Sequence, residues 1–467
     1  DWIIAPVLGD EIWHAHLHLI PRFKGDNFYY VPPKNKWTPV DEAVYGPKDI
    51  YNVPEKKARE LRFKAIKYQF KRHYENNHIY HNFCKEKGFG IEDLRTHDDL
   101  AKIPLVPDQF FKDYPHGRDF ALWLGNVFTG KLPKIVIPGK NPSFDDIINA
   151  FNSAGMYISY SSGTSGRHTF IPRDKRTWHI AEYLLGKAAI TMSYPIWDYD
   201  MKGYLLMPNP FKTNVFAGKG AMVFYDLVSD VKAAIDREVN TEVIQLTMGG
   251  GGGIKAAIAR AAIARMYKKV VGDIIKWLER NEKEKNRIAF VGAPWLLYEV
   301  MVKLKEENRS FDFADKGGVI TGGGWKIREN RRIPVSEFRK MVKDTLGIKE
   351  EHCLDLYGMV EGNGWMVHCQ EGHYLHVPHT YYYPLVLDEN FEPVDYGEYG
   401  RFAFLDSSTF SYPGFIISGD RVRMLEHCPV CDRPGPVLEP EITRARGAEM
   451  RGCAEEVRRM LSTDLGK

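Results

Sequence analysis

Apolar side chains recur every three or four positions between residues 55 and 87, with charged residues between them. This spacing is typical of an amphipathic helix that packs one face on a core. We therefore predict one long helix and a shorter successor in this stretch. Prolines at positions 104 and 107 end the helical pattern before the next part of the chain.

Further along, short apolar runs predict strands, and longer stretches such as 254–278 predict helices between them. The predicted strands are 203–207, 243–246, 287–291 and 318–321. Alternating strands and helices are typical of layered α/β folds. We predict an α/β protein whose large body of mixed sheets carries helices on both faces.

We predict three segments along the chain. Residues 1–55 are rich in aromatic, histidine and proline residues, which favours an irregular covering segment. Residues 56–420 form the core, and residues 421–467 form a short C-terminal segment. The sequence contains no internal repeat and no long low-complexity linker.

Composition excludes some classes of function. The chain has 467 residues, of which 44% are hydrophobic and 27% charged, and its net charge of +3 gives no general attraction to nucleic acid. No apolar run approaches the ~20 residues of a membrane span. Residues 1–5 lack the basic region of a signal peptide. We expect a cytoplasmic protein without nucleic-acid partners.

A hydroxyl- and glycine-rich turn follows the apolar residues 156–158. Glycines let backbone N–H groups converge on an anion, and serine and threonine hydroxyls add donors, so the turn predicts phosphate binding. It lacks the Gly-Lys-Ser/Thr ending of a Walker loop. The alternative is a solvated linker. The candidate residues are Ser161, Ser162, Gly163, Thr164, Ser165 and Gly166.

A run of five glycines, 249–253, precedes the helix predicted from residue 254. Such a run at a strand-to-helix junction could admit an anion at the helix N-terminus. Flexibility or close packing explains it equally well.

Three later motifs carry candidate nucleotide contacts. A glycine-rich turn with Trp325 and Lys326 follows a predicted strand and leaves room for a flat ring. Glu361 follows an aromatic-glycine pair and is a candidate Mg²⁺ ligand, because Mg²⁺ prefers oxygen ligands shared with phosphate. Asp420 ends a strand and suits ribose hydroxyls. Each motif also fits an ordinary turn. The glycines and the aromatic residue are Gly322, Gly323, Gly324, Tyr357 and Gly358.

Cysteine and histidine residues cluster on either side of Asp420. Two cysteines separated by two residues reach one tetrahedral zinc ion, and a Cys/His pair completes four ligands. The predicted set is Cys369, His376, Cys428 and Cys431, with His373 or His427 as alternatives to His376. Four protein ligands indicate a structural zinc site. The alternative is reduced cysteines in turns beside surface histidines.

Together, the four motifs resemble the adenylate-forming superfamily of acyl-CoA synthetases, luciferases and adenylation domains, over roughly residues 60–467. Within it, the Gly-Gly-Gly-Trp-Lys motif and Arg451-Gly452-Cys453 look most like the acyl-protein synthetases of bacterial bioluminescence, the long-chain-fatty-acid ligases. Residues 80–105 are similar to the N-terminal helices of the phenylacetate-CoA ligase branch.

This resemblance implies ATP-dependent conversion of a fatty or aromatic carboxylic acid to acyl-AMP with release of pyrophosphate. It implies that the turn 161–166 holds the β/γ-phosphates, Glu361 binds Mg²⁺, Tyr357 packs on adenine and Asp420 binds the ribose. Arg167 and His168 stand where many relatives carry a lysine, so His168 is a candidate for neutralising charge.

The C-terminus departs from the CoA ligases, which continue for about a hundred residues as a mobile lobe with a catalytic lysine. Only 47 residues follow Asp420, so we expect this lobe to be short or absent. Lys326 is then the remaining candidate to contact the α-phosphate or the carboxylate. The acyl-protein synthetases are short in the same way and use a C-terminal cysteine as acyl acceptor.

Cys453 stands where that acceptor would be, and nearby arginines favour its thiolate. The alternative is a small buried residue in a helix. Two other functions stay open: a CoA ligase of the phenylacetate type, and a nucleotide-binding protein without turnover. The acyl acceptor is accordingly Cys453, CoA or a partner protein. Candidate walls of the acid pocket are Tyr160, Trp178, His179, Trp295, Met359 and Trp365.

Overall fold

The computed structural model describes residues 2–4, 20–22, 31–161, 167–193, 196, 200–239, 241 and 254–445. At 2–4, 20–22, 254–260, 263–264 and 326–328 it describes the backbone alone. Several predicted features therefore lie outside the described residues: the turn residues 162–166, the strand 243–246, the glycine run 249–253 and Cys453.

Helices supply the N-terminal part and flank the sheet. They are α1 Pro39–Tyr45, α2 Glu55–Asn76, α3 His78–Glu86, α4 Arg118–Val127, α5 Phe144–Ser153, α6 Lys175–Ser193, α7 Phe216–Gly220, α8 Phe224–Leu227, α9 Ile254–Lys283, α10 Pro294–Glu306 and α11 Val335–Leu346.

The strands are mostly short and are spread along the chain. They are β1 Trp2–Ile4, β2 Ile20–Arg22, β3 Val106–Pro107, β4 Tyr157–Tyr160, β5 Phe170–Arg173, β6 Lys202–Pro208, β7 Asp230–Ile235, β8 Ile288–Gly292, β9 Gly317–Gly322, β10 Cys353–Tyr357, β11 Met366–His368, β12 Leu375–His376, β13 Tyr382–Leu387, β14 Tyr399–Asp406, β15 Phe415–Leu425, β16 Val437–Leu438 and β17 Thr443–Arg444.

One large mixed sheet runs in the order β13-β14-β15-β16-β12-β11-β10-β9-β8-β6-β7. Strands β7, β6, β8, β9 and β10 are parallel, and the remaining neighbours in that order pair antiparallel. Both β3 and β17 pair with β15, while β4 and β5 form a separate hairpin.

Side chains of the parallel strands alternate between two cores. Tyr204, Phe290 and Val319 pack into the core that contains α9, α10 and α11. Their neighbours Leu205, Val291 and Ile320 pack into the other core, which contains α6 and the N-terminal helices. Because successive strand residues point to opposite faces, this alternation places helices on both faces, as predicted.

The predicted elements within the described residues are confirmed. The two helices expected between 55 and 87 are α2 and α3, and the Asn77 side chain caps α3 by accepting a hydrogen bond from the Tyr80 amide at 2.9 Å. The strands expected near residues 205, 289 and 320 are β6, β8 and β9. In the part of the chain that the structure describes, no helix is long and apolar enough to cross a bilayer.

Two of the predicted segments look different in the structure. The N-terminal segment, predicted as irregular, contains α1, whose Thr38 and Asp41 form a reciprocal capping box. The boundary predicted at residue 420 falls inside β15, and β16 and β17 both pair with that strand. The described part of 421–467 is therefore integrated in the large sheet.

Candidate functional site

The β4-β5 hairpin carries the predicted phosphate-binding turn. Where the strands meet the turn, the Ser161 amide donates to the Thr169 carbonyl at 3.0 Å, and the Thr169 amide donates to Ser161 Oγ at 2.9 Å. The turn residues Ser162, Gly163, Thr164, Ser165 and Gly166 lie outside the described residues. The structure thus shows the hairpin base from which the turn starts.

His168 is buried at this base, and its Nδ1 donates to the Ser161 carbonyl at 2.8 Å. Burial lowers the pKa of His168, so the imidazole is neutral at pH 7. The neighbouring Arg167 is exposed and forms an ion pair with Asp113 at 3.2 Å. Of this pair, Arg167 is therefore the residue that carries positive charge.

Glu361 lies in the turn that follows β10, and its side chain is buried. Burial raises the pKa of Glu361, while the nearby Lys112 ammonium and a hydrogen bond with the Thr169 side chain lower it. Lys112 itself is paired with Asp108 at 2.6 Å. A buried carboxylate therefore lies beside the base of the hairpin, as its candidate role in cation binding requires.

Lys112 and Asp108 were not expected from the sequence. They lie on a 3-10 helix, Asp108–Lys112, that follows β3, and β3 pairs in parallel with Ile416 and Ile417 of β15. This pairing brings the helix to the region of Gly419 and Asp420. The only sequence signal was a short apolar run before Asp108, because the pairing itself joins positions some 300 residues apart.

The glycine turn 322–324 and Tyr357 share one edge of the sheet, because β9 and β10 are parallel and Gly322 lies opposite Leu356. A Cβ on Gly322 would come within 2.7 Å of the Leu356 side chain, and Gly323 and Gly324 have φ of 79° and 67°. Both observations require glycine. In open α/β sheets, ligands bind outside the carboxyl ends of parallel strands, which is this edge.

The Trp325 side chain is not exposed beside this glycine turn. Its ring is buried in the core with α10 and α11, with its ring centroid 5.1 Å from that of Tyr298. Lys326 begins a 3-10 helix, Lys326–Arg331, and its side chain lies outside the described residues. The candidate role of Lys326 stays a prediction.

Tyr357, Asp420 and Arg444 form a hydrogen-bonded group. The Tyr357 hydroxyl donates to Asp420 Oδ2 at 2.6 Å, and Arg444 Nη1 lies 2.9 Å from Asp420 Oδ1. Burial raises the pKa of Tyr357, which keeps its hydroxyl protonated as the donor. The sequence does not single out Arg444, since no pattern around it distinguishes it from neighbouring arginines.

The chain returns to this group after the Cys/His residues. Arg444 lies opposite Asp420 in the β15-β17 pair, and the Ala445 amide donates to the Gly419 carbonyl at 3.0 Å. Ala445 is the last residue that the structure describes. The described part of the chain therefore ends beside the motif predicted to bind ribose.

Trp365, directly before β11, belongs to an aromatic stack. The Trp365 indole packs on Gly358, where a Cβ would approach within 2.6 Å, and it stacks on Phe216 at a centroid distance of 5.8 Å. Tyr160 and Trp178 belong to the same core, whereas Trp295 belongs to the opposite one. The six candidate pocket walls therefore do not line a single face of the sheet.

The predicted zinc ligands converge. The ligand atoms of Cys369, His376, Cys428 and Cys431 all lie within 4.8 Å of one another. Cys369 Sγ is 4.0 Å from Cys428 Sγ, and Cys431 Sγ is 3.2 Å from His376 Nε2. A tetrahedral zinc with Zn–S bonds of about 2.3 Å separates two sulfurs by about 3.8 Å, so the donor set fits the ion.

Sheet pairing explains why these four residues meet. Cys369 follows β11 and His376 ends β12, while Cys428 and Cys431 lie between β15 and β16; β12 pairs with both β11 and β16. His373 is turned elsewhere, with its Nε2 3.1 Å from the Glu350 carbonyl. Burial lowers the pKa of His376 to about 3, which leaves a neutral imidazole, the form that binds metals.

Comparison with known proteins finds relatives in sequence. Residues 259–462 match the family described as acyl-protein synthetase, LuxE. The long-chain-fatty-acid–luciferin-component ligase of Aliivibrio fischeri is 25% identical over 410 residues, which are 87% of this chain and 90% of the relative. The ligase of the same name from Vibrio harveyi is 24% identical over 422 residues, which are 89% and 92% of the two chains.

Solved structures give the same fold. A crystal structure of an open conformation of 2-hydroxyisobutyryl-CoA ligase, in complex with 2-HIB-AMP and CoA, has a TM-score of 0.57 at 15% identity and covers 90% of this chain and 75% of that one. The same ligase in its thioesterification state also gives 0.57, at 16% identity, with 90% and 73% covered. The resemblance stated from the motifs is confirmed: the chain is a relative of the acyl-protein synthetases and has the fold of the adenylate-forming ligases.

Proposed function

We propose that the protein is an AMP-forming ligase that activates a long-chain fatty acid with ATP and transfers the acyl group to a thiol. The observation that carries this proposal is the convergence of three separate parts of the chain on one sheet edge. The base of the β4-β5 hairpin, the buried Glu361 and the Tyr357–Asp420 pair meet there. The relatives in sequence are named for long-chain fatty acids, which favours that acid class over aromatic acids.

In the first step, an oxygen of the fatty acid carboxylate bonds to the α-phosphorus of ATP. The bond from that phosphorus to the bridging oxygen breaks, and pyrophosphate leaves with the electron pair. Two anions meet in this reaction, so their charge must be neutralised by positioned groups. We assign the β/γ-phosphates to the turn 161–166 and the ribose to Asp420, with Arg167 and Arg444 as flanking positive charges.

Magnesium fits the carboxylate of Glu361. Mg²⁺ is usually bound by one or two carboxylates together with phosphate oxygens, and burial of Glu361 leaves a carboxylate that a cation stabilises. When bound, the ion supplies positive charge to the phosphates. Burial raises the pKa of Glu361, while the Lys112 ammonium and a hydrogen bond with the Thr169 side chain lower it and so favour the ionised form that a cation binds.

In the second step, a thiolate attacks the acyl carbon of the adenylate. A C–S bond forms, the bond between the acyl carbon and the AMP oxygen breaks, and AMP leaves. We assign the thiolate to Cys453. It lies eight positions after Ala445, and an extended chain over eight positions spans at most about 28 Å. Because Ala445 is bound to Gly419, Cys453 is within reach of an adenylate held at Asp420.

We assign a structural zinc ion to Cys369, His376, Cys428 and Cys431. The support is the fit of their donor atoms to a tetrahedral site. Four protein ligands leave no open position, so this ion would join the β11-β12 turn to the loop between β15 and β16 without contacting substrate.

The test is acid-dependent exchange of pyrophosphate into ATP, measured over a series of fatty and aromatic acids and followed by mass spectrometry of the intact protein. We expect exchange with long-chain acids and one acyl group on the protein that hydroxylamine releases. Cys453→Ala should keep the exchange and lose the acyl mass, whereas Cys84→Ala, which changes a buried cysteine elsewhere in the fold, should keep both.

Other outcomes would replace this proposal. Formation of acyl-CoA, with no acyl mass on the protein, would identify a CoA ligase instead. Absence of exchange with every acid, in protein that still binds ATP, would indicate a nucleotide-binding protein without turnover.

A further inference from the structure

Two fully buried charged residues hold the turn that carries Glu361. Arg173 ends β5, and Asp406 ends β14. Both side chains are 0% exposed, and both form hydrogen bonds with residues 360–364. Neither residue is used in the proposed chemistry, so their burial calls for a separate explanation.

Arg173 binds the carbonyl groups of the turn. Its Nη2 donates to the Val360 carbonyl at 2.6 Å and lies 3.3 Å from the Gly362 carbonyl, which are the carbonyls on either side of Glu361. Its Nη1 donates to Ser159 Oγ at 2.5 Å. Since Ser159 lies on β4, one guanidinium connects the Glu361 turn to the hairpin that carries the residues 161–166.

Aromatic rings fix this guanidinium in place. Arg173 Cζ lies 4.5 Å from the ring centroid of Phe216 and 5.4 Å from that of Tyr412, so the guanidinium makes cation–π contacts with both rings. The Tyr412 hydroxyl is also 3.1 Å from Nη2. The guanidinium therefore has little freedom to change the carbonyl groups that it binds.

Asp406 binds the amide groups of the same turn. Its Oδ2 accepts from the Asn363 amide at 2.6 Å and from the Gly364 amide at 3.2 Å. Its Oδ1 accepts from the amide and the hydroxyl of Ser408, at 2.9 and 2.6 Å. The carboxylate thus binds amide groups of the turn, and the guanidinium binds its carbonyl groups.

We propose that Arg173 and Asp406 are positioning residues that fix the Glu361 carboxylate relative to the phosphate-binding hairpin. This inference rests on the proposed function. A buried ion is costly, and replacing buried ions by apolar residues often leaves stability unchanged, so retaining two of them calls for a gain in geometry. Lysine cannot replace Arg173, because a single ammonium does not reach the carbonyls and Ser159 in the fork geometry of a guanidinium.

The experiment compares Arg173→Lys, Asp406→Asn and their double variant with the wild type. We measure kcat of acid-dependent pyrophosphate exchange, the Mg²⁺ concentration at half-maximal rate, and thermal unfolding. Misplacement of a catalytic group by about 1 Å costs up to 100-fold in rate, so we expect kcat about 10- to 100-fold lower in Arg173→Lys and a higher Mg²⁺ requirement. The loss in the double variant should be smaller than the product of the single losses, because both residues act on one turn.

Arg62→Lys is the matched control. Arg62 is also buried and also donates to a backbone carbonyl, that of His379 at 2.6 Å, and its side-chain contacts with Glu55 and His97 lie outside the Glu361 turn. It should lower the unfolding temperature without changing the Mg²⁺ requirement. If Arg173→Lys does not fold, Asp406→Asn alone decides the question by the same measurements.

A folded variant with kcat and Mg²⁺ requirement within about threefold of the wild type would overturn the inference, as would an equal change in Arg62→Lys. A wild-type protein without exchange would overturn the proposed function and this inference with it. Exchange in the wild type with unaffected variants would overturn this inference alone.

Discussion

The Glu361 turn and the Cys/His cluster lie on the same sheet, but different interactions fix their functional groups. Backbone carbonyls and amides of the turn are bound by Arg173 and Asp406, so the turn is defined by the protein's own hydrogen bonds. In the cluster, the four donor atoms mainly face one another, with sulfur atoms of Cys369 and Cys428 4.0 Å apart. An ion bound by all four residues would stabilise such a set.

The two regions therefore differ in whether the functional side chains also hold their own surroundings in place. In the turn, the side chain that would bind a metal is supported by residues that are not ligands, so the carboxylate can be altered without loss of its surroundings. In the cluster, the predicted ligands are themselves the residues that would hold the surrounding loops together through the ion. Substitution of a functional residue should therefore affect mainly rate at the turn and mainly stability at the cluster.

The largest effect is expected for Glu361→Gln. Loss of the charge should lower the rate of pyrophosphate exchange about 100- to 1,000-fold, the size found when one electrostatic contribution to a transition state is removed. Because burial raises the pKa of Glu361, the ionised carboxylate weakens folding at neutral pH, and the amide removes that cost. The unfolding temperature should stay equal or rise.

Exchange kinetics and differential scanning calorimetry on the same samples check this prediction. Glu371→Gln, on the exposed side of the loop after β11, serves as a carboxylate control that should change neither quantity. A fall in unfolding temperature together with the rate would mean that the turn depends on Glu361 itself, and the contrast with the cluster would be lost.

The next effect concerns the cluster. Cys428→Ser should lower bound zinc, measured by metal analysis, and reduce the unfolding temperature by about 5–10 °C, since metal binding contributes directly to folding free energy. Acid-dependent exchange measured below the transition should fall less than about tenfold, because Arg173 and Asp406 hold the Glu361 turn independently.

Cys84→Ser is the matched control for this change, as Cys84 is buried on α3 and is not one of the four clustered residues. It should leave the zinc content unchanged. Unaltered zinc and unaltered unfolding in Cys428→Ser would contradict the assignment of the metal.

The two regions also differ in how far the sequence predicted them. The predicted zinc ligands could be selected from their spacing, because two cysteines separated by two residues reach one ion in any fold. The spacing did not choose among His373, His376 and His427; the pairing of β12 with β16 does so. Likewise, short apolar runs predicted β6, β8 and β9, since each strand is buried on both faces.

The surroundings of Glu361 could not be predicted in this way. Arg173, Asp406 and Lys112 come from distant parts of the chain, and each is an ordinary polar residue in its local sequence. Their relation to Glu361 arises from tertiary contacts, such as the pairing of β3 with β15 that brings Lys112 close. A motif identifies the residue that acts, but not the residues that hold it.

A smaller effect is expected for Lys112→Met, measured as a pH profile of exchange. The Lys112 ammonium lowers the pKa of Glu361, so its removal raises that pKa further. The ionised carboxylate then appears at higher pH, and the acid limb of the profile moves upward. At pH 6 we expect kcat/KM several-fold below the wild type, with recovery toward pH 8.

Lys102→Met is the control, because Lys102 is an exposed lysine paired with Asp99. Its profile should coincide with that of the wild type. An acid limb that stays in place in Lys112→Met would mean that another cation keeps Glu361 ionised, with Arg444 the first candidate because its charge also acts on Glu361.

The smallest effect is expected for Tyr357→Phe, which separates two contacts to Asp420. The variant keeps the ring and loses the 2.6 Å hydrogen bond, while Arg444 remains 2.9 Å from the other carboxylate oxygen. One hydrogen bond is worth about 1 kcal/mol, so KM for ATP should rise about three- to fivefold with kcat unchanged. A large fall in kcat would instead show that Asp420 depends on Tyr357 for its position, as Glu361 is proposed to depend on Arg173. The rule of support by residues that are not ligands would then extend to the predicted ribose site.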